Sequence, residues 1–286
     1  MGHGAAALSS TPSLYVVATP LGNLGDLSPR AAAVLGAVGA IAAEDTRHSQ
    51  RLLDAFGIRA RLLALHEHNE RGAAEQVIRL LGEGESVALI SDAGTPAISD
   101  PGARAVARVR EAGHPVIAVP GPCAAVAALS VSGFAGGGFR FVGFLPPRSA
   151  ARRAALAVLR EDADALVFYE APHRIAECVD DLRAEFGAQR RVLIARELTK
   201  LHEQSVLLPL GEAAAWLASD ANHVRGEFVL VVEGAPPVEG LDGEAERVLG
   251  LLLEELPVKS AARLAAEITG APRKALYARA LALKGG

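Results

Sequence analysis

Three short runs in the first half of the chain combine glycine, proline and small polar residues in the way of loops that cradle a small molecule. They are Thr19-Pro20-Leu21-Gly22-Asn23, Ser91-Asp92-Ala93-Gly94-Thr95-Pro96 continuing to Asp100-Pro101-Gly102, and Pro120-Gly121-Pro122-Cys123. Each follows an apolar run of strand length: Leu14 to Ala18, Val87 to Ile90 and Val116 to Val119. Glycine lets the backbone turn sharply and approach a ligand, and proline prepares the first turn of a helix. In an open α/β sheet, ligands sit beyond the carboxyl ends of the strands, so three such loops point to one cofactor site. No Gly-Lys-Ser/Thr follows any of them, and Gly22-Asn23-Leu24-Gly25 has the wrong spacing for GxGxxG. The nucleotide-triphosphate and dinucleotide readings are therefore weak.

Other chemistry-bearing residues gather at predicted strand ends. Glu44-Asp45-Thr46-Arg47 closes one strand and opens a helix, where Asp45 or Thr46 can cap while the carboxylates face a cleft. His66 and His68 share one face of a strand, with Glu67 and Glu70 nearby. No third convergent ligand or HExxH spacing accompanies them, so a substrate-pocket role for His66, Asn69 and Glu70 is expected and no metal. Tyr169-Glu170, His173-Arg174 and Arg196-Glu197 lie at strand ends of the second half, where structural ion pairs compete with function. Cys123 opens a helix with no base or partner thiol, which reads as a small residue packed beside a ligand.

The elements that must position these residues alternate. Strands are expected near 14–19, 39–43, 61–66, 86–91 and 115–119, separated by helices, the first capped by Ser28 with Pro29 at its start and the second ending at Gly57. Such alternation argues for a mainly parallel sheet covered on both faces. Ser132 to Pro147, with Gly136-Gly137-Gly138 and Pro146-Pro147, reads as an interdomain link. A second α/β unit follows, with helices at 149–160, 173–186 and 212–218 and strands at 165–169, 191–196, 203–208 and 227–233. The expected division is a disordered leader at 1–13, an N-terminal α/β domain at 14–135, a C-terminal α/β domain at 136–234, and a linker with three short helices at 235–286.

Half of the 286 residues are hydrophobic and 22% are charged, with a net charge of −4. Bulk electrostatics give no reason to expect nucleic acid, so any such case rests on local patches. One is Arg148, Arg152, Arg153 and Arg160, with no acid before Glu161; another is residues 257–286, with six basic residues and one acid. A solvated helix face is the usual account of such a run, and a phosphate-binding footprint is the alternative. Two cysteines offer no disulfide framework, which suits a reduced, cytoplasmic setting, and the longest apolar run is too short to span a membrane.

Leu14 to Leu24, Ala43 to His48, Ser91 to Gly102 and Pro120 to Ala125 resemble the signatures of the tetrapyrrole methylase superfamily, the class III methyltransferases. Leu65 to Glu70, Gly143-Phe144-Leu145-Pro146, Phe168 to Arg174, Ala195 to Lys200 and Gly226-Glu227-Phe228 narrow the resemblance. They point to the branch that methylates a ribose 2′-hydroxyl of a decoding-centre cytidine in 16S ribosomal RNA. The resemblance implies two α/β domains with S-adenosylmethionine bound in a cleft between them, and a small-subunit RNA substrate met by a homodimer. Carried over by matching motif positions, the cofactor contacts are Pro20, Asp92, Ala93, Gly94, Thr95, Pro96, Ile98, Cys123 and Ala124, with Tyr169 and Ala195 from the second domain. Many relatives acting on tetrapyrroles carry GxGxGD in the first loop; Pro20-Leu21-Gly22-Asn23-Leu24-Gly25-Asp26 replaces it here, which argues against a porphyrinoid acceptor. Methyl transfer to a hydroxyl benefits from a base, and Glu197, Glu170, Asp45 and His66 are the candidates, in no order. Arg47, Asn69, Arg148, Arg152, Arg153, Arg174, Arg196, Lys200, Arg273 and Lys274 are the expected RNA contacts. A small-molecule methyltransferase and a non-catalytic RNA-binding assembly factor are the rival readings.

Overall fold

The computed structural model describes residues 8–134, 138–236, 241 and 243–284. The chain forms two compact units, one up to Gly234 and one from Ala235. Among the described residues no helix is long and apolar enough to cross a membrane.

The first unit opens with β1 (Leu14–Val17), α1 (Pro29–Ala37), β2 (Ala40–Ala43), α2 (Thr46–Ala55), β3 (Arg61–Ala64), α3 (Glu70–Gly82), β4 (Val87–Ile90), α4 (Ala103–Glu111), β5 (Val116–Val119) and α5 (Ala124–Ser132). All five strands are parallel, in the order β3-β2-β4-β1-β5. Strands β2 and β4 are apolar and buried throughout, as strands covered on both faces must be. The alternation of side chains sends Leu14, Ala42 and Leu89 toward α3 and α4, and Tyr15, Ile41 and Ile90 toward α1 and α2. Ser28 caps α1 through Ala31 N, with Pro29 behind it as expected, and Gly57 leaves α2 in the left-handed region.

The same unit continues with β6 (Phe139–Phe144), α6 (Ser149–Ala157), β7 (Ala165–Glu170), α7 (Ile175–Phe186), β8 (Arg191–Arg196), β9 (Gln204–Pro209), α8 (Leu210–Ser219) and β10 (Phe228–Val232). These strands form a second sheet, β6-β7-β10-β8-β9, in which only β6 and β7 run parallel. Helices α6, α7 and α8 cover one face. Helix α5, which leaves the first sheet, covers the other, placing Ala125 and Ala128 against Val167, Leu193, Ala195 and Val229. That helix is therefore the joint between the sheets.

Two local expectations change. Strand β6 lies within the segment read as a link; its glycine and proline borders hide a six-residue strand whose partner lies elsewhere in sequence. Of the glycine run in that link, Gly136 and Gly137 lie outside the described residues. Residues 8–13, expected within a disordered leader, are tied to the sheet: Leu8 packs beside the α1–α2 core, and Ser13 is buried with its N–H donating to Ser86 Oγ at 3.2 Å. Residues 1–7 lie outside the described residues.

The second unit holds α9 (Gly243–Glu255), α10 (Val258–Thr269) and α11 (Arg273–Lys284). Alanines 261, 262, 265 and 280 let the helices approach closely around Leu249, Leu253 and Leu276. Its cation-bearing surface is uneven: Arg263 pairs with Glu267 and Arg279 with Glu246, whereas Arg273 and Lys274 stand exposed with no carboxylate partner among the described residues.

Candidate active site

Strand β1 lies between β4 and β5, so the loops leaving these three strands are neighbours at the carboxyl edge of the first sheet. They bond to one another directly. Thr19 and Gly94 exchange backbone hydrogen bonds of 2.9 and 3.0 Å, and Thr95 Oγ1 donates to Pro122 O at 2.9 Å. Gly121 lies so close to β1 that a Cβ there would meet Ala18 Cβ at 3.0 Å. Glycine at 94 is required on two grounds: its φ is +79°, and an added Cβ would sit 3.2 Å from Leu21. The loops are one construction, although their sequences are far apart.

Beyond them lies a cleft of about 340 Å³. The first sheet's loops contribute Leu21, Glu44, Asp92 to Thr95, Ile98 to Asp100, Cys123 and Ala124; the second sheet contributes Phe144, Tyr169, Glu227 and Val229. Eight of the eleven expected cofactor contacts line it: Asp92, Ala93, Gly94, Thr95, Ile98, Cys123, Ala124 and Tyr169. Pro20 and Pro96 are buried behind the lining, and Ala195 lies under α5 in the core of the second domain. These three do not border the cleft.

Electrostatically the cleft is acidic. Burial raises the Glu44 carboxyl above the ordinary carboxylate range, and the neighbouring Asp100, Asp92 and Asp45 add to the effect. Burial also raises Asp100, against a hydrogen bond from Ser91, with Asp92 adding repulsion. Tyr169 is pushed up to about 12 by burial and by Cys123, so its hydroxyl stays neutral; it accepts a 3.1 Å hydrogen bond from Ala125 N and anchors the start of α5. The loop carrying Asp100 is strained: Ala97 and Ser99 have φ of 67° and 62°. Such backbone persists where surrounding contacts enforce it, and it clusters at functional sites. Glu70 fixes the end of that loop, where its Oε1 accepts from Gly102, Arg104 and Ala105 N–H at 2.9, 2.9 and 3.2 Å.

None of the four expected bases borders this cleft. Asp45 is the N-cap of α2, held below the ordinary range by the His48 and Arg47 N–H groups. His66 and Asn69 are at the first sheet's edge, where Asn69 Oδ1 accepts from His66 N at 2.8 Å; Asn69, like Glu70, is taken up in holding backbone. Glu170 is buried against Arg174, at 3.2 Å, beneath the second sheet. Glu197 has φ of 51° and accepts from Glu227 N and Lys200 Nζ at 2.9 and 3.1 Å. Burial pushes its carboxyl up, but these bonds outweigh that and hold it below the ordinary range. The carboxylates that do face the cleft are Glu44, Asp92, Asp100 and Glu227. They stood inside recognised sequence blocks, but only the fold shows which way they face.

The expected RNA contacts divide similarly. Arg152 is fully buried, with Nε donating to Asp181 Oδ2 at 2.6 Å and Nη1 to Pro147 O at 3.2 Å. Arg153 and Arg160 both bind Glu185, so the acids absent from α6 come from α7. Arg174 donates to Leu145 O, and Arg196 is buried on Arg225 O and Gln204 Oε1. Lys200 bridges Glu197 and Glu227 at 3.1 Å each, its stem lying over Gly22. Arg47, Arg148, Arg273 and Lys274 remain exposed. Among the described residues no cluster of three His, Cys, Asp or Glu could hold a metal ion.

Residues 13–214 match the family described as Tetrapyrrole (Corrin/Porphyrin) Methylases, and residues 239–284 match the RsmI C-terminal HTH domain. A protein of Pseudomonas aeruginosa called Ribosomal RNA small subunit methyltransferase I is 52% identical over 279 residues, 96% of this chain and 99% of that one. Its namesake in Escherichia coli O157:H7 is 50% identical over 278 residues, 97% of each chain. Among solved structures, uroporphyrin-III-C-methyltransferase from Thermus thermophilus superposes with a TM-score of 0.57 at 21% identity, covering 77% of this chain and 94% of that chain. A uroporphyrin-III C-methyl transferase from Thermus thermophilus complexed with S-adenosyl homocysteine gives 0.56 at 18%, covering 77% and 97%. With its two-sheet architecture and full-length relatives, the chain belongs to the tetrapyrrole methylase family.

Proposed function

We propose that this protein transfers the methyl group of S-adenosylmethionine to small-subunit ribosomal RNA, at the ribose 2′-hydroxyl of a decoding-centre cytidine. The observation that carries the reading is the acid-lined cleft built by the three bonded loops. Its chemistry fits the donor: carboxylates for a sulfonium and an ammonium, backbone N–H and C=O groups for the rest, and an apolar wall at Ile98 and Val229. When bound, S-adenosylmethionine supplies an electrophilic methyl on a cationic sulfur. Glu44, Asp92 and Asp100 favour that cation, and the cleft holds it against the acceptor so that the transfer becomes effectively unimolecular. Asp100, raised and set on an enforced loop, is the group that takes the hydroxyl proton.

An acidic cleft repels phosphate, so the RNA backbone is held outside it. Among the expected RNA contacts, exposed Arg47 and Arg148 on the first unit, and Arg273 and Lys274 on the second, have no ion pair among the described residues and serve that task. Replacing Arg273 and Lys274 together by alanine should raise the KM for subunits and reduce the slope of log affinity against log salt by about 0.7–0.9 per lost phosphate contact. Transfer rates measured across a salt series check this; an unchanged slope would remove both residues from the footprint.

The deciding experiment incubates radiolabelled S-adenosylmethionine with small ribosomal subunits lacking the modification, then maps the label by nuclease digestion and mass spectrometry. Label on the ribose of one decoding-centre cytidine is the expected result. Label on a base, or transfer only to small-molecule acceptors, would replace the proposed substrate.

A further inference from the structure

Strand β6 contains a bulge whose effect is to turn one aromatic side chain around. Phe141 pairs with Val167, but the next pairing is Gly143 with Phe168, and then Phe144 with Tyr169; Val142 has no partner in the register. Side chains in a strand alternate between faces. Phe141 packs on the α5 side of the sheet and Val142 on the α6–α8 side. Without the extra residue, Phe144 would follow Val142 into the α6–α8 core. With it, Phe144 joins Phe141 on the cleft side, and both rings meet Tyr169 edge-on, at centroid distances of 5.7 and 5.0 Å. Leu145 then returns to the α6–α8 core.

The device is enforced on both sides. Gly143 takes φ of 75°, and a Cβ there would come within 3.3 Å of Ser99 Oγ, so the bulge rests against the strained loop that carries Asp100. Bulges of this kind re-aim side chains beside active sites. The outcome is costly by burial alone: Phe144 is 55% exposed, more than any other phenylalanine, although burying such a ring is favourable. Tyr169, held by Ala125 N–H at 3.1 Å, backs the ring and keeps it from collapsing inward.

Resting on the function proposed above, we propose that Phe144 is the stacking platform for the nucleobase of the acceptor nucleotide. A base has a flat π-face and stacks on an exposed aromatic ring whatever its identity. Two bases enter this chemistry, the acceptor's and the donor's adenine. Phe144 reaches the cleft from the second sheet while the carboxylate loops that suit the donor's cationic end come from the first, and it stands at the open side; both favour the acceptor.

The test compares the intact protein with Phe144→Leu and Phe144→Trp, reading KM for small subunits, kcat, the Kd of S-adenosylhomocysteine by calorimetry, and Tm. Leucine should raise the acceptor KM about 5- to 150-fold, the range matching about 1–3 kcal/mol of base stacking. Tryptophan should stay within about threefold of the parent, and the S-adenosylhomocysteine Kd should move less than about twofold in both, an order-of-magnitude bound on stacking that the donor does not use. An unchanged acceptor KM in the leucine variant overturns the platform while leaving the enzyme reading intact. Equal weakening of S-adenosylhomocysteine reassigns the ring to the adenine and overturns it too. Failure of the parent protein to label subunits would sink the RNA reading, and the platform with it.

Discussion

Asp100→Asn should lower kcat for methyl transfer by about 10²–10⁴-fold while leaving the fold intact, the range associated with a positioned acid–base group. The substitution keeps size and hydrogen bonding but cannot accept a proton. Asp100 is held above the ordinary carboxylate range by burial, and by Asp92 against the Ser91 hydrogen bond. Its pKa is thus higher folded than unfolded, so the stability associated with its proton is present at low pH and lost as pH rises through the folded pKa. Once ionised, above that pKa, the group weakens the fold, and asparagine should there leave Tm unchanged or raise it. The rate has the opposite dependence: it should fall as pH drops through that same raised pKa, above the ordinary aspartate value of about 3.9. The acid limb of the profile should vanish in the variant. A full-rate variant, or one whose activity falls only in step with its Tm, would remove Asp100 as the base. Glu197→Gln serves as the contrast, because that carboxylate is engaged by Lys200 and Glu227 outside the cleft lining, and its loss should act through the loop geometry.

Arg152→Met should cost about 3–5 kcal/mol of stability, the range for removing one partner of a buried ion pair. Methionine retains much of the side-chain volume, so the loss is not mainly a cavity. What remains is Asp181, 8% exposed, with Oδ1 still accepting from Ser149 Oγ at 2.9 Å but Oδ2 stripped of its 2.6 Å donor. Pro147 O also loses its donor, loosening the turn that follows β6. Urea or thermal unfolding measures this directly. A drop below about 1 kcal/mol, the worth of an exposed pair, would contradict the buried assignment. RNA affinity measured on folded protein should not change, which separates this arginine from Arg148 at the start of the same helix.

How far the sequence alone could be followed is seen at particular residues. Continuous apolar runs such as Val87 to Ile90 identify buried parallel strands because nothing polar can be tolerated on either face. Ser28-Pro29 marks a helix start by local hydrogen bonding, and the structure agrees to the residue. Strand β6 escaped because its glycine-rich and proline-rich borders mimic a linker and its bulge breaks the alternation that identifies strands. The arginines of α6 looked unpaired because their acids lie on α7, about 30 residues along the chain.

The loops could be read from sequence because their function depends on backbone: Gly94 is demanded by its φ of 79°, Pro96 and Pro122 fix their own φ, and such local conformation is written residue by residue. Which acids face the ligand is a different kind of fact. Asp45 and Glu44 are adjacent in sequence, yet one caps a helix and the other lines the cleft. Glu70 and Asp100 are both acids of the same domain, yet one holds three backbone N–H groups so that the other can be presented. Phe144 points to the cleft only because one extra residue in β6 inverts its face. Side-chain direction, burial and charge pairing depend on strand order and on neighbours far along the chain, and so they were decided only when the two sheets came together.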